Sequence, residues 1–214
     1  MKKMLLLSTL AIIAVSFMAT GCAKQEDIVI EEFESQNTAA VKDFKVFNIY
    51  TDKSSPGNHY IPSGWMGDFS DIKINDRCMD DAHSGTTCVK VEYLPRRSQG
   101  AGWMGIYWQN PANNWGSKKS GFDLTGAKEL VFWARGEKGG EIISEFKMGG
   151  ITGEFSDSDS AGIGPAMLTQ DWKEYKINLQ GKDLSHIIGG FCLSANMDDN
   201  PDGFVVYLDD LKYE

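Results

Sequence analysis

The tetrapeptide Gly-Trp-Met-Gly occurs twice in this chain, at Gly64–Gly67 and at Gly102–Gly105. Each copy lies in a run rich in glycine, asparagine and further rings: "NHYIPSGWMGDFSDI" from Asn58 to Ile72, and "QGAGWMGIYWQNPANNWG" from Gln99 to Gly116. Flat rings beside short polar groups suit sugars. The C–H face of a pyranose stacks on a ring, and its hydroxyls exchange hydrogen bonds with amides, carboxylates and guanidinium groups. Trp65, with Asp68 close behind it, and Trp115 fall where Gly and Asn favour exposed loops.

Hydrolysis asks for more. A glycosidase needs two placed carboxyl groups, and a nucleophile needs a base beside it. Acids are plentiful: Asp68, Asp71, Asp80, Asp81, Glu145, Glu154, Asp198 and Asp199. Most stand in Asp/Asn/Gly/Ser turns, where aspartate serves the backbone. "SDSDS" at Ser156–Ser160 and "DDNPDG" at Asp198–Gly203 read as solvated turns. Asp68 and Glu145 become an acid/base pair only if the fold brings both to one cleft. No zinc spacing, phosphate-cradling loop or Ser-His-Asp arrangement is visible. Glycan binding without catalysis is the expectation. Its rivals are a small glycan-active enzyme and a structural or protein-interaction domain.

Strands must position these residues. Apolar alternation or strand composition marks Phe44–Tyr50, Cys88–Leu94, Trp103–Gln109, Glu129–Arg135, Ile142–Met148, Ala166–Thr169, Trp172–Leu179, Ile188–Ala195 and Phe204–Tyr213. Gly, Asn, Asp and Ser clusters separate them, and only "DLSHII" reads as a helical turn. The pattern predicts an all-β antiparallel sandwich or jelly roll. Alternation turns Val89, Val91, Tyr93, Leu130, Phe132, Phe146 and Met148 inward. It turns Trp103, Tyr107, Gln109, Trp133, Arg135, Glu145 and Lys147 outward, Trp133 having core filling as its alternative. The expected carbohydrate-binding set is these seven with Trp65, Asp68 and Trp115. The two aromatic runs are read as a long rim loop and as a strand leading into a loop.

From Phe122 onward, "FDLTGAKELVFWARGEKGGE", "LTQDWKEYKINLQGKDLSHIIGGF" and "NPDGFVVYLDDLKYE" resemble the galactose-binding-like jelly rolls of bacterial carbohydrate-binding modules. "DDAHSGTTCVKVEY" resembles the segment leading into their second strand. The resemblance covers most of 44–214 and implies fold more than ligand. It also implies a structural Ca2+ away from the ligand face. Its ligands would be the Asp52 and Asp209 side chains and the His83 and Ser84 carbonyls, hard oxygens that suit calcium. Many of those modules have Glu where this chain has Asp52. The runs "NHYIPSGWMGDFSDI" and "WMGIYWQNPANNWG" do not belong to the general pattern.

The ends speak of location. Lys2 and Lys3 precede an apolar run to Met18, then "MATGC". This resembles a lipoprotein signal (1–21) with Cys22 as the lipidated residue, an anchor to a membrane rather than a span. The acidic segment 22–43 reads as a flexible tether, with Ile28–Ile30 a short strand at most. The folded domain is expected at 44–214, facing the periplasm or the cell exterior. The formal net charge is −9 with no basic stripe, which excludes nucleic acid as a partner. The expected partners are a polysaccharide, the membrane and a glycan-degrading enzyme or envelope complex. Export agrees with a Cys78–Cys88 disulfide around a turn-rich loop. Cys192 reads as a buried thiol, its pairing with either of the others left open.

Overall fold

The structure, a computed structural model, describes residues 44–214. Its strands are β1 (Phe47–Tyr50), β2 (Ile61–Gly67), β3 (Ile72–Cys78), β4 (Cys88–Tyr93), β5 (Trp103–Gln109), β6 (Glu129–Gly136), β7 (Ile142–Ile143), β8 (Glu145–Gly149), β9 (Ser160–Ile163), β10 (Ala166–Met167), β11 (Lys173–Asn178), β12 (Gly189–Asn196) and β13 (Phe204–Tyr213). The first sheet runs β11-β6-β13-β4-β3, with β1 paired to the far half of β13. The second runs β2-β5-β12-β8-β9, and β7 and β10 form a two-residue ladder. All pairings are antiparallel. The all-β sandwich expected from the alternation is the observed fold.

The two sheets close over one core. Phe132 of the first sheet meets Phe146 and Phe191 of the second at ring distances of 4.9 and 5.0 Å. Trp108 lies edge-on to Phe191 at 5.3 Å. The inward residues expected on β4, β6 and β8 are all in this core, and Met104, Ile106 and Trp108 of β5 join them. Offset and edge-on rings fill such a space densely and with favourable quadrupole contacts.

Three strands escape the alternation test. β2 was expected to be loop. It is an edge strand, where Pro62 leaves no outward-facing donor to waste. Gly64 is required there, because a Cβ would lie 2.8 Å from the Tyr107 and Gln109 side chains. β3 carries polar residues on its exposed side, and β9 is built from Ser, Ala and Gly, so neither shows an apolar period. The expected strand Ile142–Met148 breaks at Ser144 into β7 and β8. "DLSHII" forms no helix. Tyr60, from the first aromatic run, is 4% exposed and donates its hydroxyl to the Ile187 carbonyl at 3.0 Å. The signal segment, Cys22 and the tether 22–43 lie outside the described residues.

Candidate functional site

Cross-strand partners share a face, so register shows what the outer side of the second sheet presents. Trp103 stands beside Asn196. The next row is Met66, Gly105, Ser194 and Glu145. Then come Gly64, Tyr107, Cys192, Lys147 and Gly162, and after them Ile61, Gln109 and Gly189. The floor is low because so many of these residues are small. At Gly105 a Cβ would meet the Met66 methyl at 2.6 Å.

Two loops stand on one end of this face. Residues 150–159 pack Ile151 and Phe155 against Tyr107, Ile188 and Cys192, a second apolar cluster on the outer side. Asp157 ties that loop down. Its carboxylate accepts the Ile151 N–H at 2.8 Å, the Gly189 N–H at 3.2 Å and the Ile188 N–H. The loop 110–121 leans on it, with the Phe155 N–H donating to the Gly116 carbonyl at 2.9 Å. Gly116 is packed so closely that a Cβ would lie 2.1 Å from the Thr152 carbonyl oxygen. Trp115 therefore has a built seat. Its indole stands edge-on to the Tyr107 ring, centroids 5.9 Å apart and planes at 86°.

The face thus carries two accessible indoles, Trp103 at 40% and Trp115 at 42% exposure. Tyr107, beneath Trp115, lies four residue steps along β5 from Trp103, a distance of about 13 Å. Between them Glu145 pairs with Lys147 at 3.8 Å, and the Lys147 ammonium lies 5.5 Å over the Tyr107 ring. Burial holds the Tyr107 phenol well above its ordinary range, and its O–H donates to the Gly149 carbonyl at 2.9 Å. Tyr107 and Gln109 are on the expected face but buried. Gln109 spends its amide on Ser63 and the Asn114 carbonyl, supporting the loop rather than offering itself to a ligand. Asn196, Ser194 and Met66 belong to the face and were missed. The parity of Cys192, Ser194 and Asn196 along β12 was the available signal.

Other expected site residues lie elsewhere. Trp65 pairs with Ile106, whose side chain is core, so it overhangs the rim on the opposite side from Trp103. A register shift between Pro62 and Gly64 sets this phase. Asp68 is fully buried. Its carboxylate accepts N–H groups from Gln99, Ala101 and Gly102 at 2.7–2.9 Å, so it supports a turn and forms no acid/base pair with Glu145. Trp133 and Arg135 point out from the other sheet, where the loop between β3 and β4 covers them. His83 stacks on Trp133 at 3.8 Å, and Arg135 lies 3.9 Å over the Tyr207 ring.

That same loop bears on the calcium expectation. Asp52 Oδ1 takes the N–H groups of Thr86 and Thr87 and both their hydroxyls. Asp209 Oδ2 accepts the N–H groups of His83 and Ser84 at 3.0 and 3.2 Å. Asp210 takes the His83 ring nitrogen and the Ser84 hydroxyl, both at 2.8 Å. The turn presents hydrogen-bond donors to these carboxylates, and a cation needs oxygens there. Among the described residues no group of three or more His, Cys, Asp or Glu side chains could hold a metal. The residues do not fit the calcium ion that the resemblance implies. Chelation is expected to leave the thermal midpoint within about 1 °C; a fall of several degrees would restore the metal.

Asp209 supplies a second test. Burial pushes its carboxyl up to about 6, against three backbone N–H donors that pull it down. The folded state holds this proton more tightly than the unfolded chain. Its stabilising contribution is therefore complete at low pH and lost as pH rises through about 6. Thermal melts of wild type and Asp209→Asn should diverge from about pH 4 to about pH 7, with wild type falling. Parallel curves would refute this.

Cys78 and Cys88 stand directly opposite each other on β3 and β4. Both are buried, so the pair stands where the expected bridge would form. Cys192 is a buried free thiol under Lys147, as its strand position suggested.

No family model matches the chain, and no curated protein matches it. Solved structures do. A family 30 carbohydrate-binding module aligns over 81% of this chain and 89% of its own, with 17% identity and a TM-score of 0.53. The family 30 module of the cellulosomal cellulase Cel9D-Cel44B of Clostridium thermocellum aligns over 79% and 97%, with 17% identity and a TM-score of 0.54. These likenesses establish the fold.

Proposed function

We propose that this protein binds a polysaccharide on the outer face of its β2-β5-β12-β8-β9 sheet, as a non-catalytic, lipid-anchored protein of a bacterial cell envelope. One observation carries the binding: two exposed indoles, Trp103 and Trp115, share one face across a low floor of Gly105 and Ser194. Each ring offers a platform for a sugar's C–H face. Asn196, Glu145 and Lys147 offer partners for its hydroxyls. The carbohydrate-binding modules that share the fold support the reading, and one of them belongs to a cellulosomal cellulase. A soluble cellulose derivative is thus the first probe, and a glycan-degrading enzyme is a natural companion. The catalytic alternative loses its carboxylate pair with Asp68 committed to a buried turn.

Native gels containing hydroxyethylcellulose, mannan, xylan or pectin test this directly. Retardation by at least one of them is expected. Unaltered migration in all of them would leave the structural or protein-interaction role in its place. The anchor rests on "MATGC". Palmitate incorporation that is lost in Cys22→Ala supports it, and equal labelling of the variant would remove it.

A further inference from the structure

The seat of Trp115 holds a histidine that the binding face itself does not use. His186 lies in the segment before β12, beside a cleft of about 490 Å³ that Lys119, Glu154 and Phe155 also line. Its Nδ1 meets the Ser156 carbonyl at 2.8 Å, and its Nε2 meets the Ser120 carbonyl. Ser120 belongs to the loop that carries Trp115, and Ser156 to the loop that supports it. Backbone bonds fasten the same place: the Ser158 N–H donates to the His186 carbonyl at 2.9 Å, and the His186 N–H to Ser158 Oγ at 3.2 Å.

Both ring nitrogens therefore face acceptors. A neutral imidazole has a single N–H, so one nitrogen must turn a lone pair toward a carbonyl oxygen. The imidazolium has two N–H groups and satisfies both. The surrounding charges are mixed. Asp157 is one residue from Ser156; burial raises its carboxyl, and His186 is among the groups that lower it. Glu154 and Lys119 stand on the cleft wall. Asp183 accepts the Ser158 hydroxyl through its carbonyl at 2.6 Å, and Asp159 is neutralised by Lys182 at 3.1 Å.

We propose that His186 is a positioning residue for the binding face: as imidazolium it clamps the 110–121 loop to the 150–159 loop and fixes Trp115. The clamp has both ring bonds as imidazolium and loses one of them when the ring gives up a proton. This deepens the polysaccharide reading and rests on it for its effect on affinity, while the clamp itself is measurable without any ligand.

The test follows the Phe155 and Ser158 amides by hydrogen exchange from about pH 5.5 to about pH 8, alongside the His186 ring titration by NMR. Exchange is normalised to the Val91 amide, which removes base catalysis common to all amides. Relative protection is expected to fall about tenfold along the ring's own titration. In His186→Gln it should not change with pH. Affinity for hydroxyethylcellulose should weaken over the same interval in wild type only. A flat profile in wild type, or a slope that persists in His186→Gln, overturns the clamp. If the variant does not fold, coincidence of ring titration and exchange in wild type still decides. A protein that shows the exchange profile but binds no polysaccharide keeps the clamp and loses the polysaccharide reading.

Discussion

Trp103→Ala and Trp115→Ala should each weaken polysaccharide binding by about tenfold or more, and the double variant should migrate in a polysaccharide gel as it does without one. The reason is geometric. Each indole is about two-fifths exposed, both stand on the outer side of the second sheet, and neither fills the core. Truncation removes a platform for stacking and leaves little cavity behind, so melting points should scarcely change. Two other tryptophans serve as controls. Trp65→Ala alters a ring on the opposite side of its strand and should change affinity less than twofold. Trp133→Ala removes a ring stacked with His83 on the other sheet and should lower stability without touching binding. Titration calorimetry with the retarding polysaccharide, next to thermal melts, separates these results. A Trp65 variant as impaired as the Trp103 variant would mean that the ligand lies on the rim.

The second large effect is expected at Asp157. Its carboxylate gathers three backbone N–H groups, those of Ile151, Ile188 and Gly189. Ile151 and Ile188 are buried, so their N–H groups have little water to turn to when the acceptor goes. Each orphaned buried donor costs about 1–3 kcal/mol, and Asp157→Ala should lose roughly 3–5 kcal/mol in urea unfolding. Asp157→Asn keeps an acceptor oxygen and should lose less. The loop that rests on Asp157 also supports Trp115, so conditions that keep the alanine variant folded should still show weakened binding. A loss below about 1 kcal/mol would mean that water replaces the carboxylate.

These two predictions differ in how much of them the sequence disclosed. Alternation along Trp103–Gln109 marks Trp103, and a Gly/Asn-rich setting marks Trp115. Asp157 reads as one acid in a solvated "SDSDS" loop, because a turn aspartate that solvates itself and one that collects distant N–H groups are spelled the same way. Asp68 carries the same lesson. A carboxylate two residues after a Trp-Met pair looked available to a ligand, yet the chain folds Gln99–Gly102 onto it. His186 too had no local pattern, since its partners at Ser120 and Ser156 are 66 and 30 residues away.

Period-two alternation by itself determined the fold class and most of the core. It settled which side of β4, β5, β6 and β8 is wet, because a strand's side chains point alternately to its two faces whatever its neighbours are. A sandwich, however, has two wet faces. Local alternation carries no record of which sheet a strand joins, and long-range pairing assigned Trp103, Glu145 and Lys147 to one face and Trp133 and Arg135 to the other. A single extra residue between Pro62 and Gly64 then reversed the phase of Trp65, because every side chain beyond a bulge changes sides. The exposed aromatic residues are legible in the chain; strand order and register put Trp103 on the shared surface, and the packing of the 110–121 loop on the 150–159 loop put Trp115 there.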